Sequence, residues 1–235
     1  MARFRATHAN AITAILAAAV LLGPSMASAE ATTLFDFVTL DRIDYIRWAD
    51  EPGRSLVRED LGPEFATIEC SLGEDLLGCP YGVDGGAAFM PAGTRMYSVR
   101  GYRTEFRLAA VWKGRIFLYQ AWRNPRAKVG ADLYDIAGKV SGIDVQRGEP
   151  TGAAGAAPTS ITSRQDRETL VDMILRGPVR RPLAHAAGEA RYWLTLRLAD
   201  GTTLGRPFFP ETSELLGGVV VPAGFRAILE RYLDD

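Results

Sequence analysis

Along Tyr192-Trp193-Leu194-Thr195-Leu196-Arg197-Leu198 a leucine or aromatic ring recurs at every second position, the period of a half-buried strand. Asp200-Gly201 marks a turn, and Thr202 to Phe209 returns as a second strand. Side-chain matching selects the register. A three-residue loop of Ala199, Asp200 and Gly201, with Gly201 in the left-handed region, sets Leu198 opposite Thr202, Leu196 opposite Leu204 and Tyr192 opposite Phe208. A two-residue loop would set Leu196 against Gly205 instead. Helical spacing flanks the hairpin on both sides. Thr162-Ser163 precedes a segment in which Leu170, Met173 and Ile174 share one face, and Gly177-Pro178 ends it. Pro222 opens a second helix, where Phe225, Ile228, Leu229 and Tyr232 recur. The pattern predicts two helices laid on one face of a small antiparallel sheet.

The earlier part of the chain reads as richer in strands. Phe35, Phe37 and the alternation around Ile43, Tyr45 and Trp48 predict extended segments, and Ser55 to Leu61 reads as a short helix that Gly62-Pro63 terminates. Phe65 to Cys70 follows as a strand. Thr94 to Arg100, Glu105 to Trp112 and Arg115 to Trp122 form a run of strands, with Lys113-Gly114 turning the last two. Leu133, Ile136, Val140, Ile143 and Val145 are expected to close against that sheet. Residues 148–160 are small, nearly uncharged and without a large apolar side chain, so they cannot build a core and read as a flexible Gly/Ala/Pro linker. The expected fold is therefore α+β: two small modules, 30–147 and 161–235, each an antiparallel sheet with packed helices, joined by that linker.

The N-terminus adds a location. Arg3 and Arg5 precede an apolar run from Ala11 to Leu22, Gly23-Pro24 breaks it, and Ala27-Ser28-Ala29 offers small residues at a cleavage site before Glu30. A membrane-spanning helix needs about 20 apolar residues and this run holds roughly a dozen. Residues 1–29 thus read as a signal peptide, with no membrane span after cleavage and a secreted or periplasmic product. Cys70 and Cys79 are the only cysteines, and an even pair in an exported chain reads as a disulfide. Closing so short a loop stabilises a fold by roughly 2–3 kcal/mol.

Composition narrows the chemistry. The chain has 27 Lys and Arg against 28 Asp and Glu, and loses two of the basic residues, Arg3 and Arg5, with the signal. That mildly acidic balance argues against a nucleic-acid or anionic-membrane binder. Only His185 lies outside the signal segment, and there is no Gly-x-Ser-x-Gly elbow, zinc or EF-hand spacing, or phosphate loop, so neither a cofactor nor a metal is expected. A hydrolase with paired carboxylates, Asp84 and Glu105, acting on a cell-envelope polysaccharide or peptide, is the alternative, because sequence spacing says nothing about the distance between two acids. Binding is better supplied. Tyr102, Arg103, Arg107 and Trp122 fall close together with Tyr97 and Arg100, while Trp193 and Arg197 share the strand face opposite Leu194, Leu196 and Leu198. Tyr, Trp and Arg combine apolar area with a polar end and dominate interaction hot spots. A face buried under the other module would give the same pattern. The expectation is an exported, non-catalytic binding protein whose partner is an unknown protein or polysaccharide of the cell envelope.

Met90-Pro91-Ala92-Gly93-Thr94, the run from Gly101 to Ala110, Leu198-Ala199-Asp200-Gly201-Thr202 and Val221-Pro222-Ala223-Gly224-Phe225 resemble segments of uncharacterised exported bacterial proteins. The resemblance implies a bacterial exported product with strand-rich modules. It implies no chemistry.

Overall fold

A computed structural model describes residues 36–48, 53–75, 78–148, 157–183, 189 and 191–234. Residues 1–29, most of the 148–160 segment and His185 lie outside them. The first sheet is built from β1 (Asp36–Leu40), β2 (Ile43–Arg47), β3 (Leu61–Thr67), β4 (Cys70–Ser71), β5 (Gly86–Ala87), β6 (Arg95–Val99), β7 (Arg107–Trp112) and β8 (Arg115–Arg123). Their order is β3-β6-β7-β8-β2-β1-β5-β4, antiparallel except for β4 beside β5. Only Ile68 and Glu69 separate β3 from β4, so one extended stretch of chain supplies both edges of the sheet. Ile68 carries the bonding across the gap: its N–H donates to Thr94 O at 2.9 Å and its carbonyl accepts from Gly93 at 2.8 Å, while the Glu69 N–H reaches Gly85 O at 2.8 Å. The sheet therefore curls round on its inner face, where Val38, Leu40, Ile43, Tyr45, Met96, Leu108, Tyr119 and Ala121 are buried. Cys70 and Cys79 are bridged, pinning the loop between β4 and β5.

The second sheet holds β9 (Val140–Arg147), β10 (Thr159–Ser160), β11 (Tyr192–Leu198), β12 (Thr203–Phe209), β13 (Glu214–Leu215) and β14 (Val219–Val220), in the order β10-β9-β11-β12-β13-β14. The β11–β12 register is the one that side-chain matching predicts, with Leu196 opposite Leu204 and Tyr192 opposite Phe208. Gly201 turns the hairpin at φ 82°, a conformation that costs a residue with a Cβ. Besides a single turn, α1 (Gly130–Leu133), the helices are α2 (Arg164–Arg176) and α3 (Ala223–Leu233). Ser163 caps α2 by accepting from the Asp166 N–H at 3.2 Å. Leu170, Ile174, Phe225 and Leu229 share a buried cluster with Leu194, Leu196, Leu204 and Phe208, the Phe208 and Phe225 rings meeting at 5.0 Å.

Two local expectations change. Val140, Ile143 and Val145 do not close the first sheet. They lie on β9, beside β11, because their alternation matches its leucines: Ile143 faces Leu196 and Val145 faces Leu194. The ladder between β9 and β11 thus joins chain on both sides of residues 148–160, and Leu34–Asp235 is one compact unit. The short helix over Ser55 to Leu61 shrinks to a 3-10 turn at Arg58–Asp60, and Leu61 already starts β3. Pro63 is tolerated inside that strand because β3 pairs only with β6 in the ladder and its pairing is interrupted between Leu61 and Glu64. The described residues are mostly β, in two sheets, and none of their helices is long and apolar enough to cross a membrane.

Candidate binding groove

The densest predicted cluster lies between the sheets. Arg107, with no exposed surface, donates from Nη1 to Thr202 Oγ1 at 2.7 Å and from Nη2 to Thr203 O at 2.8 Å. Its guanidinium lies 4.5 Å from the Tyr102 ring centroid and 4.9 Å from that of Phe106, with the Asp200 carboxylate at 3.6 Å. Gln120 Nε2 donates to the same Thr203 carbonyl at 2.6 Å, and Arg206 Nη2 returns the contact by donating to Ala121 O at 2.8 Å. The charge-assisted bonds of Arg107 and Arg206, with the amide bond of Gln120, tie β7 and β8 to β12 and the turn before it. Burial pushes the Asp200 carboxyl up, yet the Thr202 hydroxyl and N–H together with Arg107 outweigh it and hold the group below the usual carboxylate range. Burial drives the Tyr102 hydroxyl up to about 12.

The remaining predicted residues do not converge there. Trp122 is half-buried against Phe37, Ile46 and Ala88, a different cluster. Trp193 is buried and meets Trp48 edge-on at 4.9 Å. Arg103 is exposed, its Nη2 donating to Ala131 O at 2.6 Å, and Arg197 is exposed and paired with Asp144 at 2.6 Å. Asp84 accepts the Arg42 N–H at 3.0 Å, capping the turn after β1, and Glu105 accepts from the Thr104 hydroxyl at 3.4 Å. Burial first, then the charges of Glu105 and Asp41, and last that of Asp84, raise the proton affinity of Tyr45. Neither acid lines the groove described next or the two cavities beside α2.

That groove is a cavity of about 180 Å³ along the free end of β8. Arg47, Trp48, Arg54, Leu56, Arg115 and Phe117 line it together with Ile116, Leu118 and the start of β12. Local sequence builds it. Lys113 (φ 48°) and Gly114 (φ 73°) make a two-residue turn that carries β8 back beside β7, and β8 then extends beyond the reach of β2, whose ladder to it stops at Ile46 opposite Gln120. Gly53 (φ 117°) lets the next segment run close under β12, where a Cβ would meet Gly201 O and Thr203 Cγ2, each at 3.0 Å. Arg54 is anchored there by its N–H to Gly201 O at 2.8 Å and its Nε to Asp200 O at 2.9 Å.

Among the described residues three guanidinium groups and no carboxylate line this cavity. Arg47 is paired with Asp36 at 2.6 Å and Arg54 with Asp60 at 2.7 Å, which neutralises two of them. Arg115 is exposed and has no carboxylate partner among the described residues; it lies over Phe117 at 5.2 Å, as Arg47 does. A cation left on an aromatic face, beside apolar Leu56 and Leu118, suits an anionic ligand with an apolar side. The larger cavity between α2 and residues 136–140, about 660 Å³, lacks this asymmetry, because the carboxylates of Glu168 and Asp172 line it beside Arg164 and Arg167, and Arg164 pairs with Glu168. Among the described residues no cluster of His, Cys, Asp and Glu could hold a metal ion. The groove residues escaped the sequence reading because Arg47 and Trp48 are far in sequence from Arg115 and Phe117. The spacing of Arg115 and Phe117, two apart on one strand face, was the available signal.

No protein-family model, no curated protein and no solved structure matches this chain.

Proposed function

We propose that this is an exported, non-catalytic binding protein that recognises an anionic group on a protein or polysaccharide of the cell envelope, in the groove between Arg47, Arg54 and Arg115. The observation that carries the reading is the groove lining: among the described residues, three guanidinium groups, two aromatic rings and no carboxylate. A hydrolase of the paired-carboxylate kind needs two acids across a cleft, whereas Asp84 and Glu105 are engaged in local turn contacts away from it. Work outside the cytoplasm is supported by the short apolar run ending at Ala27-Ser28-Ala29 and by the Cys70–Cys79 bridge, which fits an oxidising compartment.

The test is a calorimetric titration of the mature chain with tri-galacturonate and with a glutamate-rich peptide, each followed by mass spectrometry. Saturable binding that weakens with salt and on Arg115→Gln, with the probe recovered intact, is the expected result. A cleaved probe, or binding indifferent to Arg115, contradicts it. N-terminal sequencing of secreted material should begin at Glu30; a product that still carries Arg3 refutes export by cleavage.

A further inference from the structure

The cavity beside α2 carries its charges in a definite order. Val171 and Leu175 line it from the helix and Ile136 and Val140 from the facing chain, so its floor is apolar. Around that floor the ionic residues of α2 run from base to acid, Arg164 and Arg167 first, Glu168 and Asp172 after. Arg164 and Asp172 stand about 12 Å apart along the helix axis. The stripe is neutral in sum and polar in direction. The helix itself does not favour that direction, because its macrodipole stabilises acids in the first turn and cations in the last. The side of α2 turned to α3 keeps the usual order: Asp166, in the first turn, accepts from Arg231 Nη2 at 2.9 Å and from the Tyr232 hydroxyl at 2.8 Å. On the cavity side Arg164 precedes its partner Glu168, the weaker sense for a pair four residues apart. That pair, at 2.7 Å, and Arg176 with Asp172, at 2.8 Å, are exposed, so little is lost when they exchange partners. The facing wall is continuous chain: it runs on from Val140 to Gly148, roughly 26 Å away along β9.

A surface that associates about a two-fold axis must be its own complement. A stripe with cations at one end and acids at the other meets that condition when a copy of it lies antiparallel. We propose that this face, apart from the groove at Arg115, takes a second copy of the same chain, the two α2 helices antiparallel across a two-fold axis, with Arg164 and Arg167 of each copy against Asp172 and Glu168 of the other. Val171 and Leu175 of each helix then pack toward the trough of the other, ridge into groove. Every ionic contact occurs twice, so pairs that are weak singly add up, and a parallel arrangement is opposed by like charges along the whole stripe.

Sedimentation velocity of the mature chain should show a monomer–dimer equilibrium that moves toward monomer as salt rises. Arg164→Glu alone, and Asp172→Arg alone, should each weaken the dimer at least about tenfold, because like charges then meet at both ends of the interface. Both positions are exposed, so thermal melts of the two variants should stay close to that of the wild type. Mixing the two variants should restore a dimer containing one of each, since the reversed charges complement one another across the axis. If the wild type stays monomeric up to about 1 mM, the face serves another partner or none and the inference falls. If the wild type dimerises but neither substitution weakens it, or mixing restores nothing, the copies meet elsewhere and the inference falls as well.

Discussion

Arg107 and Arg115 open the two strands of one hairpin and have opposite fates. Arg107 is fully buried, holding Thr202 and Thr203 of the second sheet with both terminal nitrogens and stacked on Tyr102 and Phe106. Arg115 is exposed, over Phe117, with no carboxylate beside it among the described residues. Both keep company with aromatic rings, so residue type does not separate a joint from a binding face. Backbone does. Where a second strand supplies carbonyls and hydroxyls, the guanidinium is used up in joining sheets. Where β8 runs past the described part of β2, the guanidinium stays on the surface over an aromatic ring.

The largest effect separating the two sites is expected at the joint. Arg107→Ala strips donors from Thr202 and Thr203 and leaves Asp200 without its buried partner, and should cost about 3–5 kcal/mol in urea denaturation. A loss under 1 kcal/mol would show that the sheets are held some other way. Next comes the bridge, since replacing Cys70 and Cys79 by Ala should cost roughly 2–3 kcal/mol. Anion affinity should be unchanged, because the bridge starts from β4, four places from β8 in the sheet order; a drop in affinity comparable to that of Arg115→Gln would mean that the groove depends on the loop.

pH should reach the joint before the groove. Burial raises the folded-state value of Tyr102 to about 12, above that of an unfolded tyrosine near 10. Its contribution is therefore fully present below about pH 10 and is lost as pH rises from there through about 12. Asp200 has the opposite sign: its folded value is lowered, so its contribution is present above about pH 4 and is lost as pH falls through that lowered value. Circular dichroism across pH, with the Tyr102 ring followed by nuclear magnetic resonance at the alkaline end, should find ionisation of Tyr102 and unfolding together; ionisation of Tyr102 near pH 10 in a folded protein would contradict the buried joint. The smallest stability effect belongs to Arg115→Gln, expected to stay within about 0.5 kcal/mol because the side chain is exposed.

Much of the fold was readable from local pattern. The β11–β12 register follows from matching Leu196 to Leu204, and α2 and α3 follow from apolar spacing, because each is fixed by residues near in sequence. The placement of β9 was not readable: Ile143 and Val145 suit either sheet, and only the partner across the ladder decides. Pro63 misled for a related reason, since proline ends a helix but also sits on an edge strand, and edges are a property of the assembled sheet. The candidate site was legible only as composition. Tyr102 and Arg107 meet as their clustering suggests, but between sheets, while the groove joins Arg47 and Trp48 to Arg115 and Phe117 through a ladder that stops early.

The most direct measurement is a map of backbone amide and tryptophan indole shifts, recorded on the mature chain while the glutamate-rich peptide is added. The changes should gather on Trp48 and on Arg115 through Leu118, leaving Tyr102, Arg103 and Trp122 in place. Changes confined to Tyr102, Arg103, Arg107 and Trp122 would return binding to the joint and contradict the division between these two arginines.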